Sequence, residues 1–394
     1  MLIAGEASGD LLAAELIGAL RQAVLAESPD TTADVQPLRT ALAPRFFGAG
    51  GPRMAAAGAV LAFDLTQHSV IGISEVVKNY VKFRRLFHHL LQLAIERQPD
   101  VIIGVDYGGF NLRFGRAIKQ FVRAHRSGFN NWNPKLVQFV SPQVWASRPA
   151  RSQTLAENYD LLLSIFPFEK DWYARRVPRL RAEFVGHPLI GRSPKSKVQS
   201  PKSALGPAVL LLPGSRADEV RRHLPVVAGA FEVLRRELPQ LTGKMILPNE
   251  GLVQMVKSSG LPAGLELQVG GLTNALAEAD LAITKSGTVT MECAFHGVPA
   301  VVFYKTSWPT YLIGKQILTV NHIAMPNLLA GEEIFPEFIQ TAATPENIAR
   351  AALELLRDDA RRQVVKTKLA TIISSLGGPG ATARAAEAIV SLLR

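Results

Sequence analysis

The chain has 394 residues, 47% of them hydrophobic, which is too apolar for a disordered polypeptide and long enough for two domains of ordinary size. Lysine and arginine number 44 against 33 acids, and this surplus of 11 suits phosphorylated substrates, an anionic membrane surface or nucleic acid. No zinc-finger spacing, basic-zipper heptad or aromatic–glycine RNA-binding signature accompanies the charge, so nucleic acid is the weakest of the three, and the single Cys293 excludes an intrachain disulfide and fits a reducing cytoplasm.

The amino terminus, MLIAGEASGD, has acids at Glu6 and Asp10 and no basic segment ahead of an apolar run, unlike a signal peptide. Nowhere do about 18 apolar residues follow one another, the least a transmembrane helix needs. Leu2 and Ile3 read as the end of a short buried strand, short enough to suggest a trimmed start. A glycine turn over Gly5–Gly9 follows, then Leu12, Leu16, Ala19, Leu20 and Val24 at helical spacing. Glu6, Ser8 and Asp10 offer polar groups at this strand-to-helix junction. The turn lacks the pattern of an ATP-binding phosphate loop, so an acceptor site suits it better, with an N-cap role for Ser8 or Asp10 as the structural alternative.

Met54, Val70, Ile71, Ile73, Val76 and Val77, followed by the cations Lys78, Lys82, Arg84 and Arg85, form an apolar stretch beside positive charge. That arrangement suits a membrane interface and equally suits ordinary packing beside a solvated face.

VIIGVD at 101–106 is a continuous apolar run ending in an acid, as expected of a parallel strand buried on both faces, and DYGGFN forms its turn. Asp106 is there a candidate general base for a sugar hydroxyl, or a turn aspartate bonding its own backbone. KLVQFVSPQVWA at 135–146 and DLLLSIFPFE at 160–169 repeat the strand-then-turn grammar. His187, in VGHPL, precedes a polar, serine- and proline-rich stretch at 191–207 that reads as an interdomain linker.

A second strand-and-helix series begins at 208 with AVLLLPGSRADE. Gly214 and Ser215 stand at a strand end where backbone N–H groups can approach an anion, with Arg216 as a fixed cation, so a diphosphate fits; a tight turn with a surface arginine is the plain alternative. TKSGTVTMECAFHG at 284–297 is a second glycine turn into a helix, with Ser286 or Thr288 as cap and Glu292 placed to meet ribose hydroxyls or to be a solvated helix acid. Helices are expected over Pro345–Arg357 and Ala381–Leu393, separated by the GGPG at 377–380. The whole predicts an α/β protein of two Rossmann-like, doubly wound domains facing a cleft: 1–190, the linker 191–207, 208–376, and a terminal helix at 377–394 that could return to the first domain.

In this order along the chain, AGEASGD, FFGAGGPRM, IGISEV, VSPQVWA, VGHPL, LLPGSR, KSGTVTMECA and MPNLLAGEEIFPEFIQ resemble the lipid-A-disaccharide synthase family from residue 4 to about 340. The resemblance implies a GT-B glycosyltransferase, inverting and metal-free, with no cofactor. It would join UDP-2,3-diacylglucosamine to 2,3-diacylglucosamine 1-phosphate and release UDP, at the cytoplasmic face of an anionic inner membrane, with homodimerisation left open.

Carried over motif by motif, Gly214, Ser215, Arg216, Ser286, Gly287, Thr288 and Glu292 would hold UDP, with Asn327 and Gln340 near the donor. Ser8, Asp10, Asn111 and His187 would lie on the acceptor side, with Asp106 the first choice of base and Glu6 the second. The chain departs from the family at Gly108 and Gly109, where relatives have proline and some a second aspartate, and at Lys285, where a small residue is expected. The alternatives are a non-catalytic sugar-nucleotide-binding protein and another GT-B-like enzyme, such as a UDP-N-acetylglucosamine 2-epimerase or a cell-wall precursor transferase, both of which lack the SPQVWA and PNLLAG strings.

Overall fold

A computed structural model describes residues 1–26, 44–68, 80–191 and 206–394. Most of the 191–207 stretch, the IGISEV string and the apolar residues from Val70 to Val77 with Lys78 lie outside the described residues. The chain divides into two compact units, Met1–Arg192 together with Leu376–Arg394, and Ser193–Ser375.

In the first unit the elements run β1 (Leu2–Ala4), α1 (Ala7–Ala26), β2 (Phe47–Gly50), α2 (Pro52–Ala56), β3 (Val60–Asp64), α3 (Tyr80–Arg97), β4 (Val101–Val105), α4 (Gly108–His125) and β5 (Lys135–Phe139). They continue through α5 (Val144–Ser147), α6 (Arg151–Asn158), β6 (Leu161–Ser164), α7 (Pro167–Arg176) and β7 (Ala182–Phe184). The strands form one parallel sheet in the order β3-β2-β1-β4-β5-β6-β7. VIIGV and LLLS are almost wholly buried because helices cover both faces of a parallel sheet, which is why they read as unbroken apolar runs. Pro167, which the sequence places in a turn, opens α7, where its missing N–H is no loss. Met54 is fully buried in this unit, whereas Lys82, Arg84 and Arg85 on α3 are exposed.

The second unit holds β8 (Ala208–Leu212), α8 (Ala217–Glu237), β9 (Thr242–Leu247), α9 (Glu250–Ser258), β10 (Leu265–Val269), α10 (Leu272–Glu278), β11 (Leu281–Lys285) and α11 (Val289–Phe295). After them come β12 (Ala300–Tyr304), α12 (Trp308–Ile317), α13 (Met325–Ala330), β13 (Glu337–Ile339), α14 (Pro345–Arg357) and α15 (Asp359–Ser375). Its sheet is also parallel, in the order β10-β9-β8-β11-β12-β13. The short strands β2, β3, β7 and β13 carry no sequence signal that marks them. They are three to five residues long, too short for a period to show.

Helix α16 (Ala381–Ser391) belongs to the first unit and packs along α1. Arg384 fastens its first turn: Nε donates to the Val185 carbonyl at 2.8 Å, and Nη1 and Nη2 donate to those of Pro379 and Gly378 at 2.7 Å each. The backbone N–H of His187 adds a bond to the Leu376 carbonyl.

Beneath α5 lies Glu169, fully buried, its carboxylate accepting from Trp145 Nε1 at 2.9 Å and from the Phe166 N–H at 3.3 Å. Burial raises its pKa from 4.5 to about 7, against the pull of bonds from Trp145, Ser141 and the backbone.

Replacing Arg384 by methionine removes three charge-assisted bonds at a partly exposed site and should cost about 1–2 kcal/mol of stability in urea titration. Because the folded chain keeps a Glu169 proton that the unfolded chain releases, this group's stabilisation is complete below about pH 4.5 and is lost as the pH rises through about 7. Glu169→Gln should therefore flatten the decline in melting temperature across that window relative to the parent; parallel curves would contradict the burial argument.

Candidate active site

Each sheet reverses its strand order once, between β1 and β4 in the first unit and between β8 and β11 in the second. At such a point the helices after the two strands leave toward opposite faces, so the carboxyl ends of those strands carry turns that no helix covers. The registers Ala4↔Val105 and Thr284↔Leu212 bring those ends side by side. The four turns placed there are GEASG, DYGG, PGSR and SGT, the segments that carry most of the candidate residues.

In the first unit the aromatic ring of Tyr107 lies on Gly5, where any Cβ would collide with it, and a Cβ on Gly9 would come within 3.7 Å of that of Asp106. Glu6 is half-buried and Ser8 exposed in the same turn. Asp106 and Tyr107 adopt successive left-handed conformations, φ 52° and 46°, which cost non-glycine residues of order 1 kcal/mol each and cluster at functional positions.

Two buried amides hold this turn. Asn111 Nδ2 and Gln138 Nε2 both donate to the Asp106 carbonyl, at 2.8 and 2.9 Å, while the Asp106 N–H donates to Phe139. Their own oxygens, Asn111 Oδ1 and Gln138 Oε1, find no partner among the described residues. Burial raises the Asp106 pKa, offset in part by the Tyr107 N–H; the phenol of Tyr107 is raised by burial and by the charge of Glu6. A Cβ on Gly108 would stand 2.7 Å from that of Pro142 in the VSPQVWA turn, so a side chain there would have to displace it.

Asp10 is buried and spends both oxygens on the α2 turn, accepting from the N–H groups of Gly51 (2.7 Å), Arg53 (3.0 Å) and Met54 (3.1 Å). It caps a helix, as one sequence alternative allowed, but α2 and not its own. Asn111 likewise acts through the turn it supports. His187 is buried against Phe166, with Nδ1 accepting from the Leu189 N–H.

In the second unit Gly214 and Gly287 have φ of 135° and 147°, values that only glycine adopts readily. A Cβ on Gly214 would also meet Glu219 Oε2 at 2.7 Å. Ser215 and Thr288 are exposed, Arg216 and Glu292 half-buried, and Ser286 Oγ donates to the Ile323 carbonyl at 2.7 Å.

Glu219 joins the two turns. Its Oε1 stands 3.2 Å from Lys285 Nζ and 3.3 Å from Arg216 Nη1, and its Oε2 accepts from the Ser215 N–H at 3.3 Å. Burial alone would raise this carboxyl, but the Lys285 ammonium outweighs it, with help from Ser215 and Arg216, and the pKa falls. His223 lies under the first turn, its Nδ1 2.6 Å from the Pro213 carbonyl and its Nε2 3.0 Å from that of Lys305; burial lowers its pKa despite both bonds.

The structure gives Asn327 and Gln340 internal work. Asn327 is fully buried: Nδ2 donates to the Phe335 carbonyl and to Glu337 Oε1, and Oδ1 accepts from the N–H groups of Ile334 and Phe335, all at 2.8–2.9 Å. Gln340 pairs both ways with the backbone of Thr306, at 3.1 and 2.9 Å. They shape the loops after α13 and β12 through backbone bonds. Gln138, Glu219, His223 and Glu337 escaped the sequence reading because each has a partner 10 to 82 positions away. A cavity of about 520 Å³ opens at the amino ends of β8 and β9, lined by Ala208, Thr242 and Asp280, away from the strand ends where doubly wound folds bind ligands.

The comparisons with known proteins bear on this arrangement. The model of a family described as lipid-A-disaccharide synthetase matches residues 1–389. The lipid-A-disaccharide synthase of Myxococcus xanthus is 35% identical over 406 residues, covering 100% of this chain and 97% of that protein. The one from Syntrophus aciditrophicus is 34% identical over 408 residues, covering 100% and 97%. Among solved structures, the calicheamicin glycosyltransferase CalG4 superposes with a TM-score of 0.57 at 16% identity, covering 100% of this chain and 96% of that one. Acinetobacter baumannii MurG does so with a TM-score of 0.52 at 16% identity, covering 99% of each. The fold is thus that of GT-B glycosyltransferases, two Rossmann-like domains. With both sheets, their strand-end turns and the full-length matches in agreement, the chain belongs to the lipid-A-disaccharide synthase family and is a glycosyltransferase that forms the lipid A disaccharide.

Proposed function

We propose that the chain transfers 2,3-diacylglucosamine from UDP to the 6-hydroxyl of 2,3-diacylglucosamine 1-phosphate, with inversion at the anomeric carbon. The observation that carries this reading is Asp106: a carboxylate with a raised pKa, held in a strained turn at the point where the first sheet reverses. Desolvation makes it a stronger base than a surface aspartate. It takes the hydroxyl proton as the oxygen bonds to the anomeric carbon, while the bond from that carbon to the diphosphate breaks and UDP leaves with the electron pair. Glu6 is the alternative base from the adjoining turn.

On the donor side, the backbone N–H groups at 214–216 and 286–288, the hydroxyls of Ser286 and Thr288, and Arg216 would bind the diphosphate and stabilise the departing charge. Glu292 would accept from the ribose. Asn327 and Gln340 would serve by fixing the neighbouring loops. Ser8 would meet the acceptor directly, and Asp10, Asn111 and His187 would contribute from behind it. In this reading residues 191–207 link an acceptor domain, completed by 377–394, to a donor domain at 208–376.

We also propose that the chain works peripherally at the cytoplasmic face of an anionic membrane. Three features support this: the surplus of 11 positive charges, the acylated substrates, and the exposed Trp308, Leu312, Ile313 and Leu318 in and just beyond α12, a stretch that carries Lys315 and no acid. No helix among the described residues is long and apolar enough to cross a bilayer.

Incubation of the purified chain with UDP-diacylglucosamine and the acylated sugar phosphate should yield UDP and a disaccharide of the summed mass. If neither forms while simpler UDP-sugars react, the substrate assignment fails. Asp106→Asn should lower kcat by about 100-fold or more with UDP affinity little changed, and a larger loss in Glu6→Gln would move the base to Glu6. Flotation with anionic liposomes should carry the chain at low salt and release it as ionic strength rises.

A further inference from the structure

Lys285, the last residue of β11, stands where the family resemblance leads one to expect a small side chain. Its ammonium does not run out into solvent. The side chain keeps only 18% of its exposure, and Nζ is 3.2 Å from Glu219 Oε1, the oxygen that also faces Arg216 Nη1 at 3.3 Å. The same Nζ lies 3.4 Å from where a Cβ on Gly287 would stand, so it touches the second donor turn while bonded to the first.

Charge counting gives this contact a consequence. Glu219 and Arg216 by themselves would make a neutral pair, with the guanidinium drawn to the carboxylate that must sit beside it. With Lys285 present, two cations face the one carboxylate of Glu219. A diphosphate, carrying two or more negative charges, then meets an arginine whose partner is already largely neutralised. Oε2 is occupied by the Ser215 N–H, so the carboxylate cannot swing away to relieve the competition without giving up the turn.

We infer that Lys285 sets the affinity of the donor turns for the diphosphate by neutralising Glu219, which weakens the competition of that carboxylate with the phosphate oxygens for Arg216. It is a positioning residue, acting through Glu219 and Arg216, and the inference rests on the donor-site reading proposed above.

Calorimetric titration with UDP and with uridine, which lacks the phosphates, tests it on the full chain. Lys285→Met should weaken UDP about tenfold and change uridine less than about twofold. The double variant K285M/E219Q, in which the surplus negative charge is gone but an acceptor for Ser215 remains, should return UDP to within about threefold of the parent. Lys285→Gln, which keeps a donor to Glu219, should reproduce the loss if the methionine variant does not fold. Arg216→Met serves as the control for the site itself. If it weakens UDP while the Lys285 variants bind as the parent does, the inference is overturned and the donor site stands. If it leaves UDP affinity intact, the donor-site reading falls and the inference with it. A UDP loss that E219Q does not rescue, or one matched by an equal loss of uridine, also overturns the inference.

Discussion

Everything functional in this chain depends on a topological constraint: a parallel sheet that reverses its strand order leaves two neighbouring strand ends without a covering helix. The apolar runs VIIGV, LLLS and AVLLL make parallel, two-sided burial unavoidable. Once the chain has built outward from a central strand and returned to its other side, the turns following both central strands lie next to each other. In both units those turns are short, and their backbones enter conformations that side chains resist: Asp106 and Tyr107 in one, Gly214 and Gly287 in the other.

The two units treat a carboxylate in opposite ways. Asp106 is desolvated and its pKa rises, which is the condition of a proton acceptor. Glu219 has two cations upon it and its pKa falls, which is the condition of a permanently charged clamp. In the reading proposed above, the same residue chemistry would serve proton transfer in one sheet and anion binding in the other, and the difference lies in neighbours contributed by separate segments.

Around the turns stands a layer of polar side chains devoted to backbone. Asp10, Asn111, Gln138, Asn327 and Gln340 are all buried, and each bonds main-chain groups of a neighbouring turn or loop, 5 to 44 positions away. At Asn111 and Gln138 both amino groups reach the Asp106 carbonyl, while their oxygens find no partner among the described residues.

The alternation of the longer strands with helices, the two-domain class and the four glycine-containing turns were determined by sequence alone, because continuous apolar runs, helical spacing and glycine at strand ends are local properties. The family was legible for the same reason, carried by short strings in a fixed order. Tertiary structure decided which polar residues stand in those turns and which stand behind them. Asp10, for which the sequence allowed either a site acid or a helix cap, bonds the α2 turn; Asn327 and Gln340, expected near the donor, bond internal backbone. Lys285 had no readable partner until the register of β8 and β11 brought it to Glu219, 66 positions away. A side chain's role is fixed by what desolvates it and what bonds it, and in a sheet of crossing connections both come from residues the linear sequence keeps far apart.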